Sequence, residues 1–263
     1  KTLDIRNDAI IPIATAGNQI NPIRVKGRVV YLPSEIPDDA AVPAVLLGNV
    51  APVDPTPLPP KPGTNEPLSL DSRFHDLIGH WSAPFVEALA AKGLVKGFLN
   101  GTFKPDIQVT RAQFAALIAA AFPDVESIRS GIRFPDVASS FWAADAIQAA
   151  QTKGFISGFP DGSFRPAAPL TRVQSIVALV SGLALGDGRS ESLLVYTDRA
   201  QVPSYAIEPV AAATERQLVI NYPDPYTLRP LVPITRAETT AFVHQALVAA
   251  KKLTRHVTPF IPD

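Results

Sequence analysis

Residues 153–174 read Lys-Gly-Phe-Ile-Ser-Gly-Phe-Pro-Asp-Gly-Ser-Phe-Arg-Pro-Ala-Ala-Pro-Leu-Thr-Arg-Val-Gln, and the residue types in that run constrain the backbone step by step. Ala146, Ile147 and Ala150, just before it, are apolar at helical spacing, and Gly154 is the left-handed C-terminal cap that ends such a helix. Asp161-Gly162 supplies the positive φ of a tight turn. Thr171 with Gln174 three residues on is a capping box, so a second, longer helix starts there and carries Ile176, Val177 and Val180 toward a core. The run encodes a short helix, a turn and a capped helix.

The same pattern occurs three times, opening at Phe74-His75-Asp76, Phe134-Pro135-Asp136 and Tyr196-Thr197-Asp198. An aromatic follows in each copy at Trp81, Trp142 and Tyr205; twelve residues beyond it stand Gly93, Gly154 and Gln217, and sixteen beyond it Gly97, Gly158 and Asn221. Thr110, Thr171 and Thr235 each lie five residues after a proline (Pro105, Pro166, Pro230) and three before Gln113, Gln174 and Glu238. One copy alone has too little apolar surface to fold, so the three are expected to share a core. The expected fold is mainly α, with three tandem helix-turn-helix repeats in pseudo-threefold arrangement. Copy three departs most: its turn, Asn221 to Thr227, belongs to a loop one residue longer that lacks the turn glycine of Asn100-Gly101 and Asp161-Gly162. That loop cannot follow the same backbone path. The binding site using it is expected to be altered or inactive, with Arg236 still serving a site completed by a neighbour.

Charge placement points to a binding site. Arg111, Arg172 and Arg236 each occupy the first turn of a capped helix, where the macrodipole disfavours a cation by roughly 0.3 to 1 kcal/mol. A second base, Lys104, Arg165 or Arg229, stands seven residues upstream of each. Two cations beside the N–H groups of a helix start describe an anion site. The structural alternative is that each Arg pairs with the Asp that opens a repeat, Asp76, Asp136 or Asp198; one Asp cannot neutralise both bases. Trp81, Trp142 and Tyr205 either offer a flat face to a sugar ring or serve as core residues at a helix start. His75, His80, His244 and His256 show no metal-ligand spacing, and no nucleophile motif, phosphate loop or isolated carboxylate pair is present, so no metal, cofactor or catalytic residue is expected.

The rest of the chain sets limits. With 24 basic and 24 acidic side chains it lacks the basic excess that nucleic-acid binding needs, and with no Cys it has neither disulfides nor Cys-ligated metal. The longest nearly apolar stretch, Ser175 to Leu185, is too short to cross a bilayer. Seven prolines between Pro52 and Pro67 read as a semi-rigid spacer, within residues 51–70. Residues 1–50 carry short β-like runs such as Ile23 to Tyr31 and few aromatics for an independent core, so they are expected to complete a larger β domain or to dock on an envelope protein partner, with a small self-standing β module as the alternative. The chain starts at Lys1 with no charged-then-apolar leader, as a processed form or a fragment would.

The F-x-D openings, the turn glycines and the Thr-Arg-x-Gln or Thr-Arg-x-Glu helix starts resemble the S-layer homology domain, over about residues 71–253. The resemblance implies a spindle of three units, here 71–130, 131–190 and 191–254, around a central three-helix bundle, with a tail at 255–263. It implies a non-catalytic module of the cell envelope, exported and wall-associated. Its role would be to tether an envelope protein to a peptidoglycan-linked polysaccharide bearing pyruvylated sugar. By the same resemblance Arg111, Arg172 and Arg236 are the main anion contacts, and Gly101, Asp161 and Gly162 line the grooves. Two other roles stay open: a protein-interaction or lattice module, and the anchor of an envelope hydrolase whose catalytic part lies elsewhere.

Overall fold

The computed structural model of the chain describes residues 73–262 and, before them, two three-residue strands, β1 (Ile23–Val25) and β2 (Arg28–Val30), paired antiparallel with Ile23 opposite Val30. The Pro-rich spacer and the expected docking of residues 1–50 otherwise lie outside the described residues. From residue 73 on the fold is mainly α and built from the three repeats. Each contributes a short and a long helix: α1 (Ala83–Ala91) and α2 (Arg111–Ala121), α3 (Ala144–Thr152) and α4 (Arg172–Gly182), α5 (Ile207–Glu215) and α6 (Arg236–Ala249).

The helices pack across repeats rather than within them. α3 lies on α2, α5 lies on α4, and α1, the first helix, lies on α6, the last, while α2 and α4 both touch α6. Each long helix is thus covered by the short helix of the next repeat, and the ring closes on itself. Phe114, Ile118, Val173, Leu179, Ala241 and Phe242 are buried along the long helices in one continuous core. Burial of large apolar side chains at about 1.5 to 3 kcal/mol each is available only once the repeats have met.

Local chemistry explains why every copy folds alike. The capping boxes form at Thr110, Thr171 and Thr235, with Gln113, Gln174 and Glu238 reaching back to the cap N–H. The opening Asp of each repeat accepts two backbone N–H groups of its own loop: Asp76 from Phe103 and Lys104, Asp136 from Phe164 and Arg165, Asp198 from Leu228 and Arg229, at 2.7 to 2.9 Å. The second residue of each pair sits at positive φ, at 57°, 56° and 52°, a conformation costing roughly 1 to 2 kcal/mol in an L residue. The bidentate, charge-assisted acceptor offsets that cost. The Asp is therefore the turn's anchor.

The short helices end as the sequence suggests. Gly93 and Gly154 lie at φ 71° and 80°, and the next residue, Leu94 or Phe155, donates back to Leu89 or Ala150. In the third repeat Gln217 takes the same role at φ 55° with an exposed side chain. Gln217→Gly should therefore raise stability by about 0.5 to 1 kcal/mol in urea titration, since glycine holds that conformation without the Cβ penalty. The same change at Glu215, the last residue of α5, should instead lower stability by about 1 kcal/mol or more, since it removes the carboxylate that accepts from Arg189 N–H and Ser192 Oγ.

Candidate functional site

A helix start leaves four N–H groups without intrahelical partners. In α2 the first two, Arg111 and Ala112, donate to the carbonyls of Ala168 and Pro166 in the next repeat's loop at 2.9 and 3.0 Å. Arg172 and Val173 donate to Val232 and Pro230, and Arg236 and Ala237 donate to Ile107 and Pro105. Of the remaining two, the N–H of Gln113, Gln174 or Glu238 goes to the capping threonine's Oγ1, and the threonine's own N–H goes to that residue's side-chain oxygen. The expected anion site on these N–H groups is thereby corrected: loop carbonyls already fill them.

The arginines explain themselves in the same way. Arg111 Nε donates to Phe164 O at 2.8 Å and Nη2 to Ser157 O at 2.7 Å; Arg236 Nε donates to Phe103 O at 2.9 Å and Nη2 to Lys96 O at 3.0 Å. Arg172 does the same to Leu228 O and Ile220 O. Each guanidinium staples the next repeat's loop, and the cost of a cation at the dipole's positive end is met by carbonyl dipoles across the interface. The alternative of Arg–Asp pairs is corrected too, since the three aspartates hold backbone N–H groups instead.

Three equivalent grooves result, each with an Arg from one repeat, the loop of the next and an aromatic of the remaining one. The Arg236 groove is a cavity of about 250 Å³ lined by Lys96, Phe103, Gln113, Thr239 and Trp142 among others. Trp142 is 66% exposed. Lys104 lies at the same loop, 4.2 Å over the Phe98 ring. Neither Arg236, Lys96 nor Lys104 has a carboxylate ion-pair partner among the described residues. Gly101 shapes the turn at φ 79°.

The Arg111 groove is tighter, about 60 Å³, lined by Ser157, Gly158, Phe159, Gln174 and Tyr205. Arg111 is 5% exposed and lies over the Phe159 and Phe164 rings at 4.7 and 4.6 Å; burial pushes its pKa down to about 10, so it stays cationic at neutral pH. Asp161 pairs with Arg165 at 3.0 Å and accepts from Ser163, which holds its carboxyl down at about 2. Gly162 turns the chain at φ 82°. Arg129, which carries no repeat signature, donates to Gln151 O, Ile156 O and Ser157 Oγ behind this loop. The sequence gives no periodic signal for it.

The third groove is filled. Arg172 has 0% exposure, and its Nη1 lies 2.9 Å from Glu238 Oε1 as an ion pair without hydrogen-bond geometry; among the described residues neither Arg111 nor Arg236 has such a carboxylate at its Nη1. Glu238 also takes Arg229 at 2.7 Å, and Asn221 Oδ1 accepts from Arg172 Nη2. Trp81 stacks on Tyr222 with centroids 5.2 Å apart. Arg172, Arg229 and Trp81 therefore present no open site, in line with the altered loop of repeat three. Glu238→Gln keeps the capping box, as Gln113 and Gln174 do, but strands a buried cation; stability should fall by about 2 to 3 kcal/mol in chemical denaturation.

Comparison with known proteins gives the chain its relatives. A family model described as the S-layer homology domain matches residues 73–115, 133–174 and 195–240. Cell surface glycoprotein 1 of Acetivibrio thermocellus is 33% identical over 125 residues, 44% of this chain and 5% of that protein. The cellulosome-anchoring protein of Acetivibrio thermocellus is 32% identical over 130 residues, 48% and 29%. Amylopullulanase of Thermoanaerobacterium thermosulfurigenes is 30% identical over 181 residues, 67% and 10%. The chain spans less than a third of the length of each of these relatives.

Proposed function

Since the chain belongs to the S-layer homology family through three tandem domains, we propose that it is a non-catalytic module anchoring an envelope protein to the cell wall, by binding a carboxylate-bearing, pyruvylated wall polysaccharide in the Arg236 and Arg111 grooves. Relatives named for surface layers and cellulosome anchoring support the wall-associated role. No helix among the described residues is long and apolar enough to cross a membrane.

One observation carries the ligand chemistry. The Glu238 carboxylate sits on Arg172 Nη1 in the third groove, and the equivalent positions in the other two grooves are the neutral Gln174 and Gln113. A ligand carboxylate would take on Arg111 or Arg236 the place that Glu238 takes on Arg172, a charge-assisted contact to Nη1 alone, since loop carbonyls hold Nε and Nη2. Lys104, Lys96 and Arg165 would add attraction at the rim, and the exposed Trp142 would give a sugar ring an apolar face. Gly101, Asp161 and Gly162 would shape the loops that border the ligand.

The Arg side chains make poor probes, because replacing them also breaks the repeat interface. Gln113→Glu and Gln174→Glu are cleaner: the native third repeat shows that Glu preserves the cap. The double variant should fold with unchanged helicity and melting behaviour yet bind purified sacculi at least about tenfold more weakly, as an added like charge beside the ligand carboxylate requires. Wild-type co-sedimentation should disappear after chemical removal of the wall polysaccharide or its pyruvyl groups. Binding that survives both treatments would overturn the reading and favour a protein ligand.

A further inference from the structure

The filling of the third groove extends beyond Glu238. Residues 254–262, after α6, run back across the molecule to that groove. Asn221, which replaces Gly97 and Gly158 of the other repeats, donates its backbone N–H to Phe260 O at 2.9 Å. The N–H groups of Gly97 and Gly158 make no hydrogen bond among the described residues. The Phe260 ring meets Tyr222 edge-on at 5.1 Å and Trp81 at 6.0 Å, and Pro262 is buried beyond it. Nearer α6, the His256 ring stands against Phe85 of α1 at 5.7 Å.

We propose that the third groove is a peptide-binding site, occupied in cis by the Thr258-Pro259-Phe260-Ile261-Pro262 segment of this chain. The occupant suits the groove in each of its chemical features. Leu218, Val219 and Ile220, which lead into Asn221, are buried, where the Arg236 groove has the exposed Lys96 at the position of Ile220. The Arg172 guanidinium is fully buried and paired with Glu238, so it presents no open face to an anion. What the groove still offers is one backbone donor and two aromatic faces, and the segment supplies one carbonyl and one aromatic ring. Prolines at 259 and 262 restrict the free segment and so lower the entropy lost on docking.

The placement has a structural consequence. The first and third repeats are the one pair not joined by consecutive chain, and α1 meets α6 at that seam. The docked Phe260 touches Trp81 on one side and Asn221 and Tyr222 on the other, and His256 just before it meets Phe85, so this stretch closes the seam. These contacts hold whichever ligand the other two grooves take.

The test uses the full chain with Trp142→Phe, which leaves Trp81 as the sole tryptophan. Adding Phe260→Ala should shift Trp81 emission to the red and speed tryptic cleavage after Arg255 about tenfold, the effect of losing one well-packed aromatic from a locally opening segment. A synthetic peptide of residues 254–262 should bind the Phe260→Ala protein, reverse the emission shift and leave the Phe260-containing protein unaffected; a peptide with Phe260 replaced by Ala should do nothing. Equal cleavage rates with and without Phe260 would overturn the proposal. So would a lack of response to the peptide, which would mark the variant as merely destabilised, or protection that falls on dilution, which would assign the segment to a second copy.

Discussion

Every long helix in this protein begins with two backbone N–H groups that neither the helix nor its capping threonine can satisfy, and the next repeat's loop supplies both acceptors. The pattern turns through all three repeats, from Arg111 to the loop at Pro166, from Arg172 to the loop at Pro230, and from Arg236 back to the loop at Pro105. Just outside it, Val109, Leu170 and Ile234 pass one hydrogen bond each around a smaller ring, at 2.8 to 3.1 Å. An unpaired buried N–H costs about 1 to 3 kcal/mol, so no repeat is complete without its neighbour. Stability, repeat order and the position of the grooves all follow from that one exchange.

The arginine after each cap belongs to the same exchange. Its Nε and Nη2 bind loop carbonyls, which fixes the plane of the guanidinium and leaves Nη1 as the variable contact. A single side-chain difference then decides what Nη1 meets. Where the N3 residue is Gln, the Arg has no carboxylate at Nη1 among the described residues; where it is Glu, the Arg is paired internally. The three sites thus divide into two grooves without an internal carboxylate on the Arg and one in which Glu238 and the segment at Phe260 occupy that space. The longer third loop goes with this division, because Asn221 turns its side chain to Arg172 and to Pro225 O instead of making room for the chain as a glycine does.

Much of this was legible in the residues. The repeat spacing, the helix starts at Thr110, Thr171 and Thr235, the terminating role of Gly93 and Gly154 and the deviation of the third loop are all local events, set by side chains within a few positions of each other. The reading of the helix start as a vacant anion site failed because it counted only intrahelical partners; the acceptors lie 57 residues on, between Arg111 and Ala168, with no trace in local composition. Arg129 and Lys96 escaped notice for a related reason, since they stand outside the repeated pattern and gain meaning only through the loop they contact.

The sequence by itself determined that three like units exist, where each helix begins and ends, and which positions carry charge, because capping, turn conformation and periodicity act over single turns of chain. Only the tertiary structure decided that each short helix covers the preceding repeat's long one, that Glu238 rather than an opening aspartate neutralises Arg172, and that residues 258–262 return to fill the third groove. Those outcomes depend on which surfaces meet after the ring closes, and distance along the chain says nothing about proximity in a closed ring.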